Sequence, residues 1–333
     1  MNWPEFVSHL QLDFAILSLI LNSILIILIA QKSPSELGSY RHLMSYIAIF
    51  EMLFSIIDYF LSPVILSHDS MFLIIIPIKY SEYLTKSQYL MIECVWCGCI
   101  GSFMAFFAIQ FIYRFCVVNN SKKVLKSFDD HRLFFWMLIP ILTGIAWGNN
   151  VYFLMGPTTE KDSAIHDLLL EKLDLHLKNV TYIGPRCYET SDENYVIKVY
   201  HKAIISIIIS LIISCTSLIF VIIFALKTFL KFRETFQMIS KQENNLQLQT
   251  FYALVSQTII PMILMHFPCT IVLISTVSDF NLGHISSIAS VTFALFPALD
   301  PLPVMLIIKN YRGTLLNFVA TPVAIFVRRK ILI

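Results

Sequence analysis

Polar and apolar residues do not alternate along this chain. They separate into long apolar blocks divided by shorter polar stretches. A helix needs about 20 apolar residues to cross a ~30 Å hydrocarbon core. Seven blocks approach or exceed that length: residues 12–30, 43–66, 91–115, 133–155, 203–226, 250–277 and 285–308. In lipid every backbone N–H and C=O has to be satisfied inside the segment, so such blocks predict helices. The expectation is an all-α membrane protein, one seven-helix bundle over residues 1–333. Residues 71–78 are apolar but too short to span, and read as an interfacial or re-entrant loop. The first block has no Lys or Arg ahead of it and no small-residue cleavage site after it, so it reads as a retained helix rather than a signal peptide.

Composition agrees. Hydrophobic residues make up 57% of the 333, and charged residues only 14%, against about 25% in an average soluble domain. Mean hydropathy is +0.72, and 14% aromatic content excludes a disordered chain. A net charge of +2 implies no nucleic-acid partner. Orientation follows from Lys and Arg near the helix ends. With the N-terminus outside, sixteen fall in inner segments and eight in outer ones, six of those eight in the long loop 156–202. The tail 309–333 is then cytoplasmic. Asn179-Val180-Thr181 is a glycosylation sequon in the loop expected outside. Asn119-Asn120-Ser121 falls in an inner loop and is expected to stay bare.

The inner ends carry the first candidate chemistry. Tyr113-Arg114 closes the third block. A buried Arg is costly unless it pairs or reaches water. It either snorkels to the membrane edge or holds a closed state by pairing, with Glu243 as candidate partner. The seventh block reads Phe296-Pro297-Ala298-Leu299-Asp300-Pro301-Leu302-Pro303. Its prolines deform a helix and free carbonyls, and its Asp is a functional flag. Lys309-Asn310-Tyr311-Arg312 follows. Leu315, Leu316, Phe318 and Val319, then Arg328, Arg329 and Lys330, predict an amphipathic helix on the inner leaflet. The tail has no cysteine to palmitoylate. At 1.5 Å per residue, Asn22, Glu51 and Asp300 each lie roughly 12–13 Å from an inner boundary. They are expected to form one buried polar cluster, in which two close carboxylates do not both ionise or a cation sits between them. Gln257, Pro261 and Pro268 mark the sixth block, with Pro261 a candidate hinge.

The outer halves hold candidate ligand contacts: Asp58, Tyr59, Trp96, Phe103, Trp147, Asn150, His266 and Phe293, with Asn149, Ser206, Ser210 and Ser290 beside them. Such a lining suits a small, mainly apolar molecule with one or two hydrogen-bonding atoms. Most of these residues have a packing role as the alternative, and Asp58 needs a reason most. In the loop 156–202, Ile165, Leu168, Leu169, Lys172, Leu173 and His176 fall at helical spacing and predict an amphipathic helix. Cys187, the loop's one cysteine, is a disulfide candidate with Cys94, or with Cys97. Neither His166 with His176 nor the Cys94, Cys97, Cys99 run makes a metal site. No nucleophile–base pair or phosphate-binding loop appears, so neither an enzyme nor a cofactor is expected.

Seven helices with the N-terminus outside is the layout of G-protein-coupled receptors; a seven-span ligand-gated channel or transporter is the alternative. The chain resembles the nematode serpentine chemoreceptors of the Str superfamily, the Str and Srj classes closest. The resemblance is carried by Leu37-Gly38-Ser39-Tyr40-Arg41-His42-Leu43-Met44, Phe111-Ile112-Tyr113-Arg114-Phe115, Gln257-Thr258-Ile259-Ile260-Pro261, and the Phe296–Pro303 motif with Ile308-Lys309-Asn310-Tyr311-Arg312. It implies a chemosensory receptor for an odorant or pheromone-like small molecule. Its partners would be a heterotrimeric G protein and the lipid bilayer, at the plasma membrane of sensory-neuron cilia.

Overall fold

The computed structural model describes residues 3–34, 37–68, 70–129, 132–190, 196–235, 241–278 and 282–317. Seven helices long and apolar enough to cross a membrane run Trp3–Lys32, Tyr40–Leu61, Lys86–Val118, Leu133–Met155, His201–Lys231, Phe251–Ser278 and Ile285–Ile307. They are numbered here as spans one to seven. Span three is central: 89% of its apolar window is buried, against 17% for span five. Thr85 starts span three with a capping box, its hydroxyl accepting from Gln88 N while Gln88 Oε1 accepts from Thr85 N. Glycines let spans three and four pack closely. A Cβ on Gly98 would stand 2.7 Å from the Gly144 carbonyl oxygen, and one on Gly148 2.9 Å from that of Cys94.

Two expectations need correction at the second block. Span two stops at Leu61 and does not reach Leu66. Ser62 turns left-handed at φ 47 and gives its N–H to Asp58 O, and Pro63, which has no N–H, cannot continue a helix. The chain then enters β1 (Val64–His68), which pairs antiparallel with β2 (Met71–Pro77), with Val64 opposite Ile75 and His68 opposite Met71. Residues 71–78 therefore hold a buried strand, not a re-entrant loop. β2 pairs in turn with β3 (Val180–Ile183), Ile74 opposite Ile183. A second pair, β4 (Tyr188–Thr190) and β5 (Val196–Val199), follows in the long loop.

The three-stranded sheet caps one end of the bundle. Its side chains alternate, yet both faces are buried. Ile65, Phe72, Ile74 and Ile183 join the bundle core. Val64, Leu66, Leu73, Ile75, Val180 and Tyr182 meet a helix, Thr159–Leu173, through Ile165, Leu168, Leu169 and Leu173. This lid helix is the amphipathic helix expected in the loop. It ends before His176 because Asp174 turns left-handed at φ 56. The cap is also tied to span seven: Ile65 N donates to Ser290 Oγ and Ser67 N to Ser286 Oγ, both at 2.8 Å.

The disulfide expectation also fails. Cys94, Cys97 and Cys187 are all buried, and Cys94 and Cys187 are free thiols. Main-chain bonds hold Cys187 to the cap, its N–H to Ser70 O and its carbonyl accepting from Tyr200 N. Cys94 meanwhile packs its backbone against Gly148 of span four. Beyond span seven, residues 309–317 are helical. Phe318, Val319 and the basic residues after them lie outside the described residues.

Candidate functional site

The capped end encloses an apolar cavity of about 60 Å³. Trp147, Val151 and Met155 of span four, Cys97 and Ile100 of span three, and Phe293 of span seven form its walls. Ile65, Phe72, Ile74 and Ile183 of the sheet roof it, and Val272 and Leu273 of span six close the side. Ser210 of span five brings the cavity its hydroxyl, which accepts from Asn150 Nδ2 at 3.1 Å. An engineered cavity of about 150 Å³ admits benzene, so a guest beyond a few heavy atoms has to part these walls.

The expected ligand residues divide. Trp147 and Phe293 line the cavity, and Asn150 reaches it through Ser210. Asp58 and Trp96 do not line it; they satisfy each other, Trp96 Nε1 donating to Asp58 Oδ1 at 2.9 Å. Phe103 packs edge-on against Phe50, Phe54 and Phe296 in the core. Tyr59 is exposed, with Lys79 over its ring. His266 lies deeper, beside Pro261 and Phe107. The roof and the Val272–Leu273 wall escaped the sequence reading, because plain aliphatics carry no chemical signal. Glu93 escaped as well. It is a fully buried acid in span three, in reach of Thr181 and the Ile183 backbone, and the criterion that singled out Asp58 applies equally to it.

The lid is latched at the cavity's edge. Lys161 Nζ donates to the carbonyl oxygens of Met155, Gly156 and Gly184 at 3.0, 2.8 and 2.8 Å. The first two are carbonyls at the end of span four, where a helix leaves acceptors unpaired. Burial pulls the Lys161 amine down to about 8.

Halfway along the bundle the structure brings Asn22, Glu51 and Asp300 together. The Glu51 carboxyl lies beside both Asp300 and Asn22. Backbone chemistry explains Asn22. Pro301 has no N–H to offer the carbonyl four residues earlier, and that carbonyl, Pro297 O, accepts from Asn22 Nδ2 at 3.0 Å instead. Span seven breaks there: one helix ends at Leu299 and the next starts at Pro301. Gln257 of span six completes the cluster, its Nε2 donating to Asp300 Oδ2 at 2.8 Å and to Asp300 O at 3.3 Å. One turn later, from Pro261, span six loosens into a π-helical segment, Met262–His266, before resuming at Phe267. Such segments recur at functional sites.

The end opposite the cap holds Tyr113, Arg114 and Tyr311. Arg114 is 2% exposed, with Tyr40 and Tyr113 as electrostatic neighbours. The Tyr113 ring stacks on Tyr40 at 5.5 Å and meets Phe128 edge-on at 4.9 Å. Tyr311 Oη and Ser33 Oγ stand 2.6 Å apart, tying the segment after span seven to the end of span one. The side chain of Glu243, the expected partner of Arg114, lies outside the described residues.

The chain as a whole is similar to known proteins. Residues 8–316 match the family described as serpentine type 7TM GPCR chemoreceptor Str. G-protein coupled receptor str-217 of Caenorhabditis elegans is 32% identical over 307 residues, covering 91% of this chain and 87% of that protein. Serpentine receptor class r-10 of the same organism is 27% identical over 324 residues, covering 95% and 91%. The crystal structure of squid rhodopsin matches with a TM-score of 0.60 at 12% identity, covering 93% of this chain and 84% of that one, a likeness of fold alone.

Proposed function

The chain belongs to the Str family of serpentine seven-transmembrane chemoreceptors, and from that premise we propose that a small, mainly apolar ligand in the capped cavity controls G-protein coupling at the opposite end. The protein is a multi-pass membrane receptor of the G-protein-coupled class, not an enzyme. The capped end is assigned to the outside and the Arg114 end to the cytoplasm. The Lys and Arg bias supports this, as does Asn179, exposed beside the sheet. The plasma membrane is the site of action, and by family the sensory cilium.

One observation carries the reading. The cavity touches span six at Val272 and Leu273 and span seven at Phe293, each on the capped side of its span's irregularity, the π segment at 262–266 and the break at Asp300. A ligand that parts the walls therefore bears on both spans above their weak points. Spans six and seven are linked just below, through Gln257 and Asp300. Ligand binding favours a state in which the inner part of span six swings outward about Pro261. That exposes Tyr113 and Arg114, with Pro301 and Tyr311 as the span-seven side of the same switch.

The test is a G-protein activation assay in cells expressing the tagged receptor, screened with small apolar molecules bearing one hydrogen-bond acceptor. Filling the cavity by Val272→Phe or Ala289→Phe is expected to abolish the response to an identified agonist at equal surface expression. An unchanged concentration–response curve in both variants removes the cavity as the ligand site.

A further inference from the structure

Away from the cap, spans three, four and five leave a groove of about 540 Å³ on the outer surface of the bundle. It opens sideways: Ile139, Leu142, Ile212 and Phe220 on its lips are exposed. Its floor is small and apolar, with Ala105 and Ala108 of span three and Ala146 of span four. Two of its hydroxyls are spent on backbone, Thr143 Oγ1 on Ile139 O at 2.8 Å and Ser217 Oγ on Met104 O. Among the described residues no charged side chain lines it. All three walls are membrane spans, so the medium at its mouth is acyl chain. Along its length the groove suits a hydrocarbon.

The groove's end away from the cap is different. Trp136 lines it and stacks on Phe128 at 4.3 Å, while its Nε1 donates to Ser127 Oγ at 3.0 Å. These contacts hold the basic turn 122–128 at the end of the groove, with Lys122, Lys123 and Lys126 exposed. From span five Lys227 adds a fourth cation, exposed and lying over the rings of Phe224 and Phe115 at 5.8 and 5.9 Å. It stands two turns beyond Phe220, about 10 Å at 1.5 Å per residue. Among the described residues no carboxylate pairs with any of the four.

We propose that this groove is a binding site for an anionic phospholipid, one acyl chain lying between spans three, four and five and the phosphate headgroup resting on Lys122, Lys123, Lys126 and Lys227. A zwitterionic lipid or a sterol would fill the groove equally well but leave the rim uncompensated. Each lysine near a membrane surface contributes about 1 kcal/mol toward an anionic headgroup, roughly fivefold in affinity.

The full chain in nanodiscs provides the test. Phosphatidylserine with a photoreactive group on its acyl chain is compared with the matching phosphatidylcholine probe, and adducts are mapped by peptide mass spectrometry. The phosphatidylserine probe is expected to label residues 104–112, 136–146 and 212–220 above other lipid-facing surface. Unlabelled phosphatidylserine should compete and phosphatidylcholine should not. Replacing Lys122, Lys123 and Lys126 together by Gln is expected to cut that labelling about tenfold or more. Ala108→Phe, or Thr216→Trp should the first fail to fold, is expected to displace the label with the lysines intact. Equal labelling by both probes, or indifference to the Gln replacements, would mean annular lipid only and overturn the site.

Discussion

Removing the Gln257 amide tests the link between spans six and seven directly. In Gln257→Leu the side chain keeps its bulk and loses the donor that reaches Asp300 Oδ2 at 2.8 Å and Asp300 O at 3.3 Å. Both residues are buried, at 4% and 2% exposure, so water cannot replace the lost donor. A buried bond of this kind contributes about 1.5–3 kcal/mol where one partner is ionised and about 1 kcal/mol where it is neutral. The link is therefore worth about 1–3 kcal/mol. About 1.4 kcal/mol is tenfold in an equilibrium constant. With Arg114 buried, the described arrangement is read as the resting state. Losing the link then raises the population in which span six has swung by about tenfold, for example from about 1% to about 10%. The assay is agonist-free nucleotide exchange on a purified G protein, with wild type and variant in nanodiscs at equal receptor content. Thr258→Val is the control, since among the described residues that buried hydroxyl bonds within its own helix, to Leu254 O. Basal exchange should rise several-fold in Gln257→Leu and stay at the wild-type level in Thr258→Val. Equal basal exchange in all three proteins would refute the link, and a fall in Gln257→Leu would mean that the described state is the active one.

Other consequences are open to simpler measurements. Gly98→Ala drives a methyl to within 2.7 Å of a backbone oxygen, so a lower melting temperature is expected, about 1–3 kcal/mol of destabilisation; Gly313→Ala, with nothing within 4 Å, should melt like wild type. Lys161→Met removes the ammonium donor from three carbonyls, of which Met155 O keeps Gly184 N, and amide exchange across 159–184 should accelerate about tenfold or more while span three keeps its protection. Alkylation in denaturant without reductant should modify both Cys94 and Cys187, whereas a bridged pair would resist until reduced. A glycosidase-sensitive gel shift lost in Asn179→Gln, with a C-terminal tag protected in intact cells, is expected; an accessible tag with no shift would invert the topology.

How far the molecule was legible depends on what its residues have to satisfy. Lipid leaves a backbone one inexpensive solution, so apolar block length was enough to locate seven helices. Depth was legible for the same reason. A fixed rise per residue carries Asn22, Glu51 and Asp300 to one level, and buried polar groups at one level find each other. The cap was not legible, because residues 64–66 and 71–76 are apolar throughout, and a strand buried on both faces has the same pattern as buried helix. Only Pro63 marked the boundary, and its meaning depends on a partner, β3, more than 100 residues away. The cavity inherits part of that blindness: its roof is built from those strands, and of the aromatics and acids the sequence pointed to, the fold brings Trp147 and Phe293 to the cavity and places Asp58, Trp96 and Phe103 elsewhere. Asp58 is the instructive case. Its isolation in an apolar span looked like a contact waiting for a ligand, yet Trp96, on another span, already supplies the donor. A polar residue in a span signals that something must satisfy it, and only the packing decides whether that partner is the protein or a guest. Gln257 passes the same test in the other direction. Its partner, Asp300, lies on a separate span at a break two prolines impose, so satisfying it couples two helices that can move.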